Sequence, residues 1–134
     1  ELEWKGFKNL EVTFPLIEDI KMDVSKKYGM IQPGQSTTQA VRAVFVIDPK
    51  GIIRTILYYP LSTGRNFDEI KRIILALQKA DKDGVATPAD WRPGDDVIIP
   101  TAGSCGTAKE RMETKAEDQY CLDWFMCFKR ESKK

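Results

Sequence analysis

The clearest pattern of apolar and polar positions lies in the middle of the chain. Ala40-Val41-Arg42-Ala43-Val44-Phe45-Val46-Ile47 is a β-branched run, nearly continuous in its apolarity. Ile52-Ile53-Arg54-Thr55-Ile56-Leu57-Tyr58-Tyr59, ended by Pro60, is a second. Between them, Asp48-Pro49-Lys50-Gly51 has the chemistry of a tight turn, with Pro at its second position and Gly where a positive φ is wanted. The pattern predicts a β-hairpin. A strand apolar on both faces, as Val44 to Ile47 is, needs cover on both sides of its sheet.

A change of period follows. Phe67, Ile70, Ile73, Ile74 and Leu77 recur at the spacing of one helical stripe, predicted to be buried, with Lys71, Arg72, Gln78 and Lys79 off it. Asn66 three residues before Glu69 is a capping pattern, Asp68 and Glu69 suit the positive end of the helix, and the helix frays at Asp83-Gly84.

The first third is less regular. Trp4, Phe7, Leu10 and Val12 give residues 2–12 a weakly helical reading. Thr13-Phe14-Pro15-Leu16-Ile17 reads as the edge or start of a strand, because Pro15 cannot donate to a ladder. Residues 23–28 read as a short helix with Asp23 as N-cap, Lys26 and Lys27 in the last turn and Gly29 as its stop. Gln32-Pro33-Gly34-Gln35-Ser36 is loop chemistry.

After position 84 the texture shifts to short extended pieces punctuated by Thr87-Pro88, Arg92-Pro93-Gly94-Asp95 and Pro100, with Asp96-Val97-Ile98-Ile99 as the best strand. Residues 108–119 read as a charged helix. The aromatic segment Tyr120-Cys121-Leu122-Asp123-Trp124-Phe125-Met126-Cys127-Phe128 asks to be docked against something. Residues 85–134 are therefore expected to be an arm, with 1–84 the body. One hairpin, one or two short strands and one amphipathic helix are too few to cover a sheet apolar on both faces, so an upstream part is expected. The first residue, Glu1, agrees with a processed, truncated or fragmentary chain.

Composition narrows the function. The 134 residues carry 21 Lys+Arg against 20 Asp+Glu, a net charge of +1, without the basic surplus that phosphate neutralisation needs, so nucleic acid is not expected as a partner. No apolar run approaches the roughly 20 residues of a membrane-crossing helix, so no membrane is expected. There is no histidine, which removes Ser-His-Asp and Cys-His catalysis and every imidazole metal site within these residues. No cofactor is implied. The cysteines Cys105, Cys121 and Cys127 are too few for a disulfide framework and favour free or redox-active thiols in a reducing compartment, read as the cytoplasm. Cys121 and Cys127, six apart, match neither C-x-x-C nor a zinc knuckle, and no metal is expected there.

The hairpin makes a geometric prediction. Arg42 starts one strand and lies beside residues 57–59 at the end of the other, after which Pro60-Leu61-Ser62-Thr63-Gly64 leads into Arg65 before Asn66. The two guanidiniums are expected to converge at the open end of the hairpin, near a helix start, in an apolar neighbourhood. That arrangement suits an anion or a group that becomes one. Two plain surface cations are the bland alternative. A small phosphate or sulfate metabolite is a weaker reading, since no Gly-rich phosphate loop accompanies them.

These residues carry a resemblance. Arg42-Ala43-Val44-Phe45-Val46-Ile47-Asp48-Pro49, Ile56-Leu57-Tyr58-Tyr59-Pro60 and Thr63-Gly64-Arg65-Asn66-Phe67-Asp68-Glu69-Ile70 resemble the second half of a peroxiredoxin. Leu77-Gln78 with Gly84-Val85-Ala86-Thr87-Pro88-Ala89-Asp90-Trp91 is similar to the one-cysteine, peroxiredoxin 6 type, and the 120–128 segment to the arm of archaeal members. The likeness runs from about Phe14 to Phe128. It implies an α/β, thioredoxin-like fold with flanking helices, partial at its N-terminus, and an extended arm.

The implied activity is reduction of hydrogen peroxide and organic hydroperoxides at a peroxidatic cysteine, with a dithiol such as a thioredoxin-like protein as reductant. In the family that cysteine lies in Pro-x-x-x-Thr-x-x-Cys, a motif that none of the three cysteines here completes. The 134 residues are therefore expected to be inactive by themselves. Arg42 and Arg65 match the family's arginines that point at the peroxidatic sulfur, where cations stabilise a thiolate and donors hold the peroxide.

The resemblance also makes Cys121 and Cys127 candidate resolving thiols; the alternative is that both pack beneath Trp124 and Phe125. Trp124, Phe125 and Phe128 read as packing anchors, and Cys105, in the 101–107 loop, as incidental. Tyr58 and Tyr59 end an edge strand that in the family pairs with a second subunit, implying a homodimer that could build rings of dimers; an edge covered by the chain's own arm is the alternative. A non-catalytic, peroxiredoxin-like dimerisation or interaction module is the competing function.

Overall fold

The structure, a computed structural model, describes residues 12–113 and 116–131. Residues 2–11 of the expected N-terminal helical stretch lie outside them. The chain divides into two compact units, one ending at Arg65 and the other beginning at Asn66.

The first unit contains helix α1 (Asp23–Lys27) and strands β1 (Arg42–Ile47) and β2 (Ile53–Tyr59), paired antiparallel. The expected hairpin is there, with Arg42 opposite Tyr59 and Phe45 opposite Ile56. Its turn is closed by Gly51 N–H donating to Asp48 O at 2.9 Å. The Asp48 carboxylate accepts from the amides of Lys50 and Ile52, and Gly51 sits at φ 80°. Only a residue without a Cβ takes that backbone angle without strain. Phe45 packs edge-on against Tyr28 and Tyr58, centroids 4.9 and 5.7 Å away, and the Tyr58 hydroxyl donates to Tyr28 O at 2.6 Å.

Two expectations change here. The 13–17 run is not a strand but irregular chain, with Phe14, Leu16 and Ile17 exposed; Pro15 and the following acids leave it no ladder to join. Asp23 is not the N-cap of α1. Met22 holds that position in a left-handed conformation (φ 56°) without a side-chain cap. Asp19 reaches over the helix start, accepting from the amides of Val24 and Ser25 and from the Ser25 hydroxyl at 2.6 Å. Those hydrogen bonds, first the Ser25 hydroxyl's, hold the Asp19 carboxyl below its ordinary pKa. Gly29 does end the helix, at φ 65°.

The second unit begins with α2 (Phe67–Asp83), capped as expected: Asn66 Oδ1 accepts from Glu69 N at 3.1 Å, and Gly84 ends the helix in the left-handed region. The apolar stripe is only partly covered. Ile70, Ile73 and Leu77 are half-buried, whereas Phe67 (74% exposed) and Ile74 face out. A three-stranded antiparallel sheet follows in the order β3 (Val97–Ile99), β5 (Met126–Lys129), β4 (Gln119–Asp123), with Ala86 bridging to Ile98 on the outer side of β3. The predicted strand at 96–99 is thus β3. The helix expected over 108–119 is instead α3 (Cys105–Glu113), and by Gln119 the chain has entered β4.

The core of this unit is small. Val97, Trp91 and Cys127 are buried, and the Trp91 indole N–H donates to Asp95 O at 3.0 Å. Polar clamps complete it. Asp96 accepts from the Tyr120 hydroxyl at 3.1 Å and from Glu131 N–H at 3.3 Å, and Lys79 of α2 bridges Asp83 and Glu131 at 2.7 and 2.6 Å. Both carboxylates raise the Lys79 pKa, and burial with the Asp96 contact raises that of Tyr120.

Candidate functional site

Arg42 stands at the start of β1, opposite Tyr59, and is exposed. Its Nη1 donates to Thr63 O at 3.0 Å. That bond fixes the guanidinium against the segment leading to Arg65, two residues further on and also exposed. The hairpin register therefore carries Arg42 to the chain segment where the sequence placed it. The expected apolar setting does not materialise among the described residues. Its partner there is a neutral backbone carbonyl rather than a carboxylate. Thr63 was missed by the sequence reading; a carbonyl partner leaves no residue-type signal.

Cys121 and Cys127 are not free thiols: they form a disulfide, with Cα atoms 4.0 Å apart and the two residues directly opposite each other on β4 and β5. The register between Cys121 and Asp123 slips by one residue, so Leu122 is an extra residue on β4, and a two-residue turn, Trp124-Phe125, closes the hairpin. The expectation that both cysteines pack beneath Trp124 and Phe125 changes as well. Cys127 is buried, but the two aromatic rings lie edge-to-face on each other at 5.5 Å and stay exposed at the turn. Phe128 does anchor, stacking on Tyr120 at 5.2 Å. Cys105, expected in a loop, opens α3 and is exposed.

A groove of 420 Å³ runs along the start of α2, lined by Asp68, Glu69, Lys71, Arg72 and Arg92 among others. Arg72 is already spoken for by a two-point pair with Glu69, at 2.6 and 2.8 Å. That pair lowers the Glu69 pKa and raises that of Arg72, and the lining has no net surplus of either sign strong enough to define a ligand. Among the described residues no cluster of three or more Cys, Asp or Glu could hold a metal ion.

Comparison with known proteins decides the family. The AhpC/TSA family model matches residues 3–56, and the model of the C-terminal domain of 1-Cys peroxiredoxin matches residues 76–115. A peroxiredoxin of Methanosarcina mazei is 64% identical over 134 residues, covering 100% of this chain and 61% of the relative. The chain belongs to the peroxiredoxin family. A peroxiredoxin of Aquifex aeolicus is 49% identical, covering 90% of this chain and 58% of its own length. Among solved structures, a yeast mitochondrial 1-Cys peroxiredoxin superposes with TM-score 0.75 at 38% identity, covering 95% of this chain and 61% of that one. The peroxiredoxin 6 of Arenicola marina follows with TM-score 0.74 at 31% identity, covering 94% of this chain and 60% of that one.

The chain thus spans about three-fifths of the length of the peroxiredoxins it matches. Its α/β architecture is that of the thioredoxin-like peroxiredoxin fold, as the resemblance implied.

Proposed function

We propose that these residues form the arginine-bearing and resolving part of a thiol peroxidase that reduces hydrogen peroxide and organic hydroperoxides at a cysteine. One observation carries the reading: Arg42, held by Thr63 O, presents a charged guanidinium beside the segment that bears Arg65, in a peroxiredoxin chain. Such cations stabilise a neighbouring thiolate over the thiol, and only the thiolate attacks the peroxide O–O bond. The same donors stabilise negative charge growing on the departing oxygen. The nucleophile belongs to a Pro-x-x-x-Thr-x-x-Cys segment outside the 134 residues.

After attack, the nucleophilic sulfur is a sulfenic acid, which condenses with a thiol to a disulfide and water. One of Cys121 and Cys127 supplies that thiol. The other, as a thiolate, attacks its sulfur in the mixed disulfide, and the peroxidatic sulfur leaves as a thiolate. The pair ends the cycle as the disulfide joining β4 and β5, which a thioredoxin-like dithiol then reduces. Homodimerisation through β2, whose strand partner among the described residues is β1, belongs to the same reading, as does a reducing, cytoplasmic setting.

The test is peroxide consumption with a dithiol, measured on these 134 residues and on a chain in which the family's peroxidatic segment precedes them. The expected result is no catalysed turnover by the first and dithiol-dependent turnover by the second. Turnover by the 134 residues overturns the placement of the nucleophile; inactivity of both favours a non-catalytic interaction module.

A further inference from the structure

The two sulfurs of the disulfide are not equivalent. Cys127 sits on β5, the middle strand, between Ile99 on one side and Cys121 on the other, and is 3% exposed. Cys121 sits on β4, which among the described residues pairs only with β5, and is partly exposed. An incoming nucleophile must approach along the S–S axis, so access decides which sulfur it strikes.

Around this bond the hairpin shows apolar surface to solvent. Leu122 is 70% exposed, Trp124 58%, Phe125 49% and Met126 36%. These four large apolar side chains lie within the short stretch of chain that the disulfide closes, and two of them, Trp124 and Phe125, are in ring contact, which makes the hairpin tip suited to docking. The disulfide names the occupant, because a thiolate is the group that opens an S–S bond by exchange, and a second thiol on the same partner lets that partner leave again.

We infer that Cys121 is the sulfur attacked by the reductant, and that the Leu122, Trp124, Phe125 and Met126 hairpin tip is the surface on which a dithiol protein docks to do so. The inference rests on the proposed redox cycling of this cysteine pair. One thiolate of the partner attacks Cys121 Sγ; a new intermolecular S–S bond forms, the Cys121–Cys127 bond breaks, and Cys127 departs with the electron pair as a thiolate. The partner's second thiolate attacks the partner's own sulfur in the mixed disulfide, and Cys121 leaves as a thiolate. The partner's dithiol becomes a disulfide, the cysteine pair gains two electrons, and the two protons come from the partner's thiols. Asp123 O lies 3.9 Å from Cys127 Sγ. In the disulfide this sulfur has no proton to donate, but once released and protonated it has an acceptor there.

The experiment is run without peroxide, so its failure is separate from any failure of the peroxidase reading. In a Cys105→Ser background, the oxidised chain is mixed with a thioredoxin whose second cysteine is replaced by serine, quenched in acid, digested and mapped by mass spectrometry. The mixed disulfide is expected on Cys121 in about tenfold excess over Cys127. An even split or a Cys127 majority overturns the assignment. The double variant Trp124→Ser, Phe125→Ser is expected to slow reduction by intact thioredoxin about tenfold while leaving reduction by dithiothreitol unchanged. Equal slowing with both reductants, or no slowing with either, removes the docking surface, and so does a tip that proves to be covered by a second copy of the chain.

Discussion

The hairpin of β1 and β2 and the sheet of β3, β5 and β4 are built from similar β-branched and aromatic runs, yet they finish differently. The first has a well-defined register, but Ile47, Ile52, Ile53, Ile56 and Tyr58 stay exposed, and Val41, the buried residue of its unit among those described, precedes the strand. The second is shorter, with strands of three to five residues, yet it contains Val97 and Cys127 in its interior. It is tied by a disulfide, by the Asp96 clamp and by the Lys79 ion pairs. Strand pairing is written locally, in turn chemistry and alternation; stability comes from burial, which needs neighbours. The hairpin is thus the part of this chain that most needs cover, and the sheet is the part that holds itself together.

The sharpest way to break that comparison is to damage both interiors. Val97→Asp places an unpaired carboxylate at a fully buried site and is expected to cost about 4 kcal/mol, read by chemical denaturation and by loss of amide protection at Ile98 and Phe128. Phe45→Ala, at a half-buried position touched by Tyr28 and Tyr58, is expected to cost only about 1–2 kcal/mol. Equal losses would mean that the two regions are packed alike.

A second test removes the covalent tie. Cys121→Ser, or reduction of the native pair, opens a short loop and is expected to destabilise the second unit by about 2 kcal/mol, read as a lower denaturation midpoint with an unchanged slope. An unaffected midpoint would show that the polar clamps suffice.

The smallest effect distinguishes the first unit by pH. Because native hydrogen bonds depress the Asp19 pKa, the folded state binds fewer protons than the unfolded one there. The contribution is therefore present above the ordinary carboxylate range and lost on acidification through and below about pH 4. Protection of the Val24 and Ser25 amides, measured against their intrinsic exchange rates at each pH, is expected to fall across that range, and Asp19→Asn to flatten the dependence. An unchanged pH profile in that variant would remove Asp19 from the helix start.

What the sequence revealed follows the same division. The β1–β2 register, the Asn66 cap and the Gly84 stop were legible because each depends on residues within a turn or two of one another. The Cys121–Cys127 pairing was not. It depends on an extra residue, Leu122, and on a Trp-Phe turn that carries none of the usual turn residues. The Asp19 cap was hidden because its acceptor comes from before the helix and skips the nearer Asp23. The place of Arg42 opposite Tyr59, at the end of the hairpin where the chain runs on toward Arg65, was readable, because a hairpin register converts sequence distance into spatial order. The exposure of the two arginines was not readable, since burial depends on what lies across the sheet.

The measurement that bears most directly on the arginines is the rate at which peroxide oxidises the peroxidatic thiol, in a chain where the family's cysteine segment precedes these residues. The account predicts that Arg42→Ala slows that step about a hundredfold with the fold intact by circular dichroism. An unchanged rate in that variant would contradict it.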